Sequence, residues 1–183
     1  MSEVAYEKTS SSSILVFVII VFFGFRQYCR SLSPAVSAQF SDEKLNVNIQ
    51  YGQPAKKGRF IFGREQDNAL LPYGKVWRTG ANEATIIELK EDVLFAGKPV
   101  KAGKYSLWTV PGPGSWRVIL NTQTGQWGTE YNDGKDLFKS EIPIRVRPRV
   151  QQIFTIYFEK NMNGADMILS WDQTEAIIPI QPR

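Results

Sequence analysis

The chain contains no histidine. That absence removes the Ser-His-Asp and Cys-His triads, histidine general bases and every metal site that needs an imidazole. Cysteine occurs once, as Cys29, so neither an intrachain disulfide nor a thiolate zinc cluster can form. There is no P-loop, no Gly-x-Gly-x-x-Gly and no Gly-x-Ser-x-Gly element, and Gly112-Pro113-Gly114 reads as a turn. Long runs of one charge are also missing. Lys and Arg number 22 and Asp and Glu 18, for a net charge of +4. The densest basic stretches are Lys56-Lys57-Gly58-Arg59 and Arg145-Val146-Arg147-Pro148-Arg149. A nucleic-acid binder gathers its cations into a longer stripe, so both stretches read as solvated surface and no nucleic-acid partner is expected. What is present is an ordinary globular composition over 183 residues, 43% hydrophobic and 22% charged.

The one long apolar run goes from Ile14 to Phe25 (ILVFVIIVFFGF), and no charge occurs between Lys8 and Arg26. The run suits the apolar region of a signal peptide, about 7–15 residues, better than a full span of about 20. Its flanks are atypical. Glu3 and Glu7 precede it, and Arg26 and Arg30 follow. Residues 1–32 are therefore read as a signal peptide or membrane anchor, which places the remainder outside the cytoplasm, in the periplasm or at the cell surface. Cys29 lacks the small and aliphatic residues expected before a lipidated cysteine.

From residue 33 the pattern changes to short alternating runs punctuated by glycine and proline. Leu45, Val47, Ile49 and Tyr51 share one face of a period-two run, the mark of a half-buried strand. Further runs occupy residues 84–90, 93–95, 105–110, 115–122, 141–147, 153–159, 165–171 and 175–180. Ala96-Gly97 and Asn163-Gly164 are hairpin signals. Only residues 65–71 look helical in the body, for about two turns. A parallel sheet needs crossover helices, and none is visible. The expectation is an all-β fold: a single antiparallel β-sandwich of about ten strands over residues 33–183. All five tryptophans fall in this body, and at least three of them are expected in the core, with Trp127 the most exposed.

The least scaffold-like stretch is Tyr73-Gly74-Lys75-Val76-Trp77-Arg78-Thr79-Gly80-Ala81-Asn82-Glu83-Ala84-Thr85. Arg78 offers a planar fork of donors suited to a carboxylate or phosphate, Glu83 can receive it, and Gly80 permits the bend that brings them together. In one reading, Arg78 and Glu83 form a partly buried ion pair with Asn82 as a cap, locking a loop to the sheet. In the other, Tyr73, Trp77, Arg78, Asn82 and Glu83 line a binding site, with an aromatic stacking platform for a glycan, a peptide or a small carboxylate. This stretch resembles the signature of domain-of-unknown-function family 2911, a family of secreted bacterial proteins. Ser33-Pro34-Ala35, Lys57-Gly58-Arg59, Phe62-Gly63 and Ala102-Gly103-Lys104-Tyr105-Ser106-Leu107 agree with it. The resemblance covers roughly residue 33 to the carboxyl end. It implies an exported β domain and carries no activity.

Two other chemistries are weighed. A carboxylate-pair glycan hydrolase would pair Glu83 with Glu88 or Asp136, but the many acids in the body make such a pair unspecific. Asn132-Asp133-Gly134-Lys135-Asp136 resembles a calcium loop without the glutamate an EF-hand requires, and reads as a turn. The expected function is a non-catalytic extracytoplasmic binding module with no cofactor and no metal. The alternatives are the glycan hydrolase and a structural partner in an envelope assembly.

Overall fold

A computed structural model describes residues 11–183, which fall into two compact units divided after Leu32. The first holds helix α1 (Ser11–Leu32), 22 residues long. At 1.5 Å per residue it measures about 33 Å, enough to cross a hydrocarbon core of about 30 Å. Its Ile14–Leu32 stretch is long and apolar enough to span a membrane, and none of it is buried within the protein. A helix that is apolar all round has no watery face to present. Such a helix is compatible with a signal sequence or a membrane anchor. The acidic flank at Glu3 and Glu7 lies outside the described residues.

The second unit is all-β. Its strands are β1 (Ala35–Ser41), β2 (Asn46–Gly52), β3 (Phe62–Gly63), β4 (Leu71–Pro72), β5 (Ala81–Leu89), β6 (Val93–Phe95), β7 (Lys98–Val100), β8 (Gly103–Val110), β9 (Ser115–Asn121), β10 (Asp136–Asn161) and β11 (Gly164–Pro182). Nine of these form one antiparallel sheet in the order β1-β2-β5-β8-β9-β10-β11-β6-β7, while β3 and β4 make a short parallel pair. Four runs expected as separate strands are two long ones, of 26 and 19 residues. The beginning of β10 pairs with β9 and its later part with β11. Pro148 and Asp172 fall where the β10–β11 register shifts, so the features that look like strand ends are bulges. The later part of β10 also touches the β1–β2 end of the sheet. Ala55 bridges Ile153, the Tyr51 hydroxyl accepts from Ile156 N at 3.0 Å, and the rings of Phe40 and Phe158 lie 6.0 Å apart.

Strand alternation explains the core. Val47, Ile49 and Tyr51 of β2 are buried together with Leu45. They join Ile87, Leu107, Trp116, Val118, Leu120, Met167, Leu169, Trp171, Ile178 and Ile180. At its centre Phe62, Trp77, Trp116, Phe154 and Trp171 pack mostly edge to face, with centroids 4.8 to 6.2 Å apart. Each such pair adds about 0.5–1.5 kcal/mol beyond simple burial. Trp108 sits in a second cluster with Ala84, Val110 and Ile119, against Tyr131. Four tryptophans are buried and Trp127 is half-buried.

The helical expectation at residues 65–71 is corrected. Only Glu65–Asp67 turns, as a 3-10 helix, and Asn68 stops it in the left-handed conformation at φ 54°. Leu70 and Leu71 then give their N–H groups to the carbonyls of Phe60 and Ile61, not to a helix. The hairpin at Ala96-Gly97 has φ values of 48° and 75°, the double positive that a two-residue turn of this twist requires. The β10–β11 hairpin places Met162-Asn163 at its tip, between the paired Asn161 and Gly164. This is the Asn161–Gly164 link expected from the sequence.

Candidate functional site

The stretch from Tyr73 to Thr85 is fixed to the sheet from both ends. Trp77 exchanges two backbone hydrogen bonds with Thr109, of 2.7 and 2.9 Å. That bridge aims its ring into the aromatic core, where the indole N–H donates to Gly80 O at 2.9 Å. Thr79 and Asn82 both take left-handed backbone conformations, φ 53° and 65°, at some steric cost for residues with a Cβ. Local bonds hold them there. The Thr85 hydroxyl donates to Thr79 O at 2.8 Å, and the Thr79 and Thr109 hydroxyls share a bond of 3.1 Å. Gly80 has no room for a side chain, since a Cβ would lie 2.9 Å from the Thr85 hydroxyl and 3.0 Å from Gly52 O.

Of the five candidate residues, Arg78 meets the Asn82 backbone and shares a pocket wall with Trp77, while Tyr73 lines another groove. Trp77 is buried with its ring in the core, so it presents no open face for stacking. The Asn82 amide is spent on Ser33 O, 3.1 Å away, and its carbonyl accepts from Arg78 Nη1 at 3.2 Å and from Gly128 N at 2.9 Å. Glu83 is half-buried, and its backbone bridges Trp127. Tyr73 is half-buried and lines a groove of about 510 Å³ with the Pro111–Gly114 loop, Trp116, Arg117 and Glu141. Arg78 lines a different pocket.

That second pocket has a volume of about 220 Å³. Its walls are Leu70, Leu71, Pro72, Lys75, Val76, Trp77, Arg78 and Gly128. The Arg78 side chain lies directly on Gly128, where a Cβ would fall 2.2 Å from its Cδ and 2.6 Å from its Nε. Burial pushes the Arg78 pKa below the ordinary arginine value, yet a guanidinium stays charged at neutral pH. Among the described residues, no ion pair joins Arg78 to Glu83, contrary to one of the two readings. The one side-chain bond of Arg78 among the described residues goes to a backbone carbonyl. Of its five N–H donors, one is used. Lys75, the other cation of the pocket, is largely exposed and 3.4 Å from Glu65, a contact of small worth in water. Sequence reasoning missed both Lys75 and Gly128. Gly128 lies fifty positions from Arg78, and nothing local marks a glycine as the floor under a distant side chain.

Glu83 and Glu88 do not have the spacing of a glycosidase pair. Glu83 and Glu88 are five residues apart on β5, which puts them on opposite faces and on the order of 16 Å apart. A glycosidase pair needs about 5–9.5 Å. Glu88 is engaged with Lys90 at 2.8 Å. Asp136 accepts from Asn121 at 2.8 Å and from the Tyr131 hydroxyl at 2.5 Å. The 132–136 stretch is a turn in which Asn132 Oδ1 accepts from Gly134 N at 3.1 Å. No cluster of three or more metal-ligating side chains occurs among the described residues.

A nine-stranded antiparallel sheet carrying a locked Trp-Arg-Thr-Gly loop defines a β domain preceded by a membrane-length helix. Residues 33–180 match the family described as "Protein of unknown function (DUF2911)", and the chain belongs to that family. No curated protein and no solved structure matches the chain.

Proposed function

We propose that this domain is a non-catalytic extracytoplasmic binding module whose Arg78 pocket takes a carboxylate, either a small free acid or the C-terminus of a peptide. The observation that carries this reading is the half-buried guanidinium with four unspent donors and no carboxylate beside it, in the wall of a pocket that also holds Lys75. Taking such a group from water without a counter-charge is costly, and a bidentate carboxylate offsets that cost in full geometry. A glycan is less well served, because the Trp77 face that would stack on a sugar is buried in the core. The apolar helix Ser11–Leu32 supports export or anchoring.

Titration calorimetry on the full chain in detergent, with succinate and with a short peptide, tests the proposal. Wild type is expected to bind, and Arg78→Gln to bind about ten- to a hundredfold more weakly, the worth of one charge-assisted contact of about 1.5–3 kcal/mol. Equal binding by both proteins, or none by wild type, rejects the carboxylate site. Unfolding of Arg78→Gln would make Arg78 part of the loop's structural lock instead.

A further inference from the structure

We propose that the end of the sheet where the two basic runs meet is a docking surface for an anionic lipid bilayer. The two densest basic stretches are nearly ninety positions apart in the chain, and the fold joins them. Ala55 bridges Ile153, Lys56 N donates to Gln152 O at 2.7 Å, and the Lys56 ammonium meets Asp172 at 2.5 Å. Asp172 is in turn the ladder partner of Gln151. Between Val146 and Gln151 the strand bulges, with residues 147–150 opposed on β11 by Gln173 alone. The bulge pushes the Arg147-Pro148-Arg149-Val150 stretch out of the ladder.

Six cations converge there: Lys56, Lys57, Arg59, Arg145, Arg147 and Arg149. Three carboxylates answer them. Asp172 takes Lys56, and Glu159 and Glu175 take Arg145 and Arg147. Lys57 and Arg149 are exposed and have no carboxylate among the described residues, and Arg59 gives its guanidinium only to the carbonyls of Ala55 and Lys56. The surplus of three equals the whole net charge of residues 33–183, so the rest of the domain is balanced and this end carries the field.

Aliphatic side chains stand between the cations. Val146 is 81% exposed, Ile153 45% and Val150 43%. Cations interleaved with exposed aliphatics suit an interface where charge meets headgroups and hydrocarbon enters the acyl boundary. Nucleic acid would use the cations but has no place for the valines, and it calls for stacking rings instead. The same chain supplies a membrane-length helix that ends at Leu32, two residues before β1 begins. Tethering of that kind makes docking an intramolecular event at high effective concentration. The proposal is independent of the Arg78 pocket.

The test uses the full chain reconstituted in vesicles of phosphatidylcholine alone or with added phosphatidylglycerol. An environment-sensitive fluorophore is attached through Val150→Cys in a Cys29→Ser background. Phosphatidylglycerol is expected to blue-shift its emission and expose it to quenching by brominated lipid, and high salt to reverse both. With each cation near the surface worth about fivefold, Lys57→Gln with Arg149→Gln is expected to lower the docking constant about 25-fold. Arg64→Gln with Lys101→Gln, at exposed pairs elsewhere, should leave it unchanged. Emission that is the same in both lipids overturns the proposal. So does a response to an added oligonucleotide in place of the lipid response, which would identify a nucleic-acid surface.

Discussion

Replacing Gly128 by alanine isolates the contact on which the Arg78 pocket depends. The new methyl would stand 2.2 Å from Arg78 Cδ, 2.6 Å from its Nε and 2.7 Å from Asn82 O, against the 3.4 Å or more of an ordinary contact. At least one partner must move by more than half an ångström, and the carbonyl belongs to a left-handed residue already held by three bonds. Overpacking of this kind costs about 1–3 kcal/mol. For a domain of this size that is a fall of about 2–4 °C in Tm per kcal/mol. Arg78→Ala removes two of the three clashing atoms and leaves the carbonyl. The double variant is therefore expected to recover part of the loss, with a coupling of about 0.5–3 kcal/mol. Urea denaturation of wild type, both single variants and the double variant measures it. Strict additivity would show that Gly128 and Arg78 do not share the space assigned to them.

Three further outcomes follow from the same contacts. Trp77→Phe keeps an aromatic ring in the core but strands Gly80 O without its 2.9 Å donor; a loss of about 1–3 kcal/mol is expected in denaturant titration, and no loss would mean the carbonyl finds another partner. Ala96→Asn places a residue that favours the left-handed conformation at φ 48°, and is expected to raise stability by about 0.5–1 kcal/mol in a thermal melt. Burial raises the Glu175 pKa, but the hydrogen bonds from Arg145 and Tyr157 and the charges of Arg145 and Arg147 outweigh it and hold the carboxyl below its ordinary 4.5. A carboxyl so depressed stabilises the fold above its unfolded pKa, and that contribution is lost as pH falls through the folded value. Glu175→Gln should therefore be less stable at pH 7 and show a shallower decline between pH 5 and 3, read from melts across that range.

The sheet was largely legible because its core strands obey period two. Leu45, Val47, Ile49 and Tyr51 went inward as their spacing required, and the chain turned at Ala96-Gly97, where Gly97 accepts positive φ freely. β1 gave a weaker signal, because its inward residues Val36, Ala38 and Phe40 include one small side chain and all three are only half-buried. Pro148 and the 172–174 region looked like ends because proline weakens a ladder, yet neighbouring strands carried the pairing past both. The geometry of the Tyr73–Thr85 stretch was not legible. Arg78 and Asn82 do meet, but through Asn82's backbone carbonyl and not its side chain. Trp77 went inward because its bridge to Thr109 set the direction of its ring, a pairing over thirty positions that no local pattern contains.

The last strand has a bearing on how this chain is made. β11 delivers Met167, Leu169, Trp171, Ile178 and Ile180 to the interior, and β6 has its ladder partners only at Ile180 to Pro182 on one side. Until residues 164–182 have been synthesised, β6 and the later part of β10 lack their ladder partners. A chain arrested before Gly164 is accordingly expected to be digested rapidly by a protease that the finished protein resists.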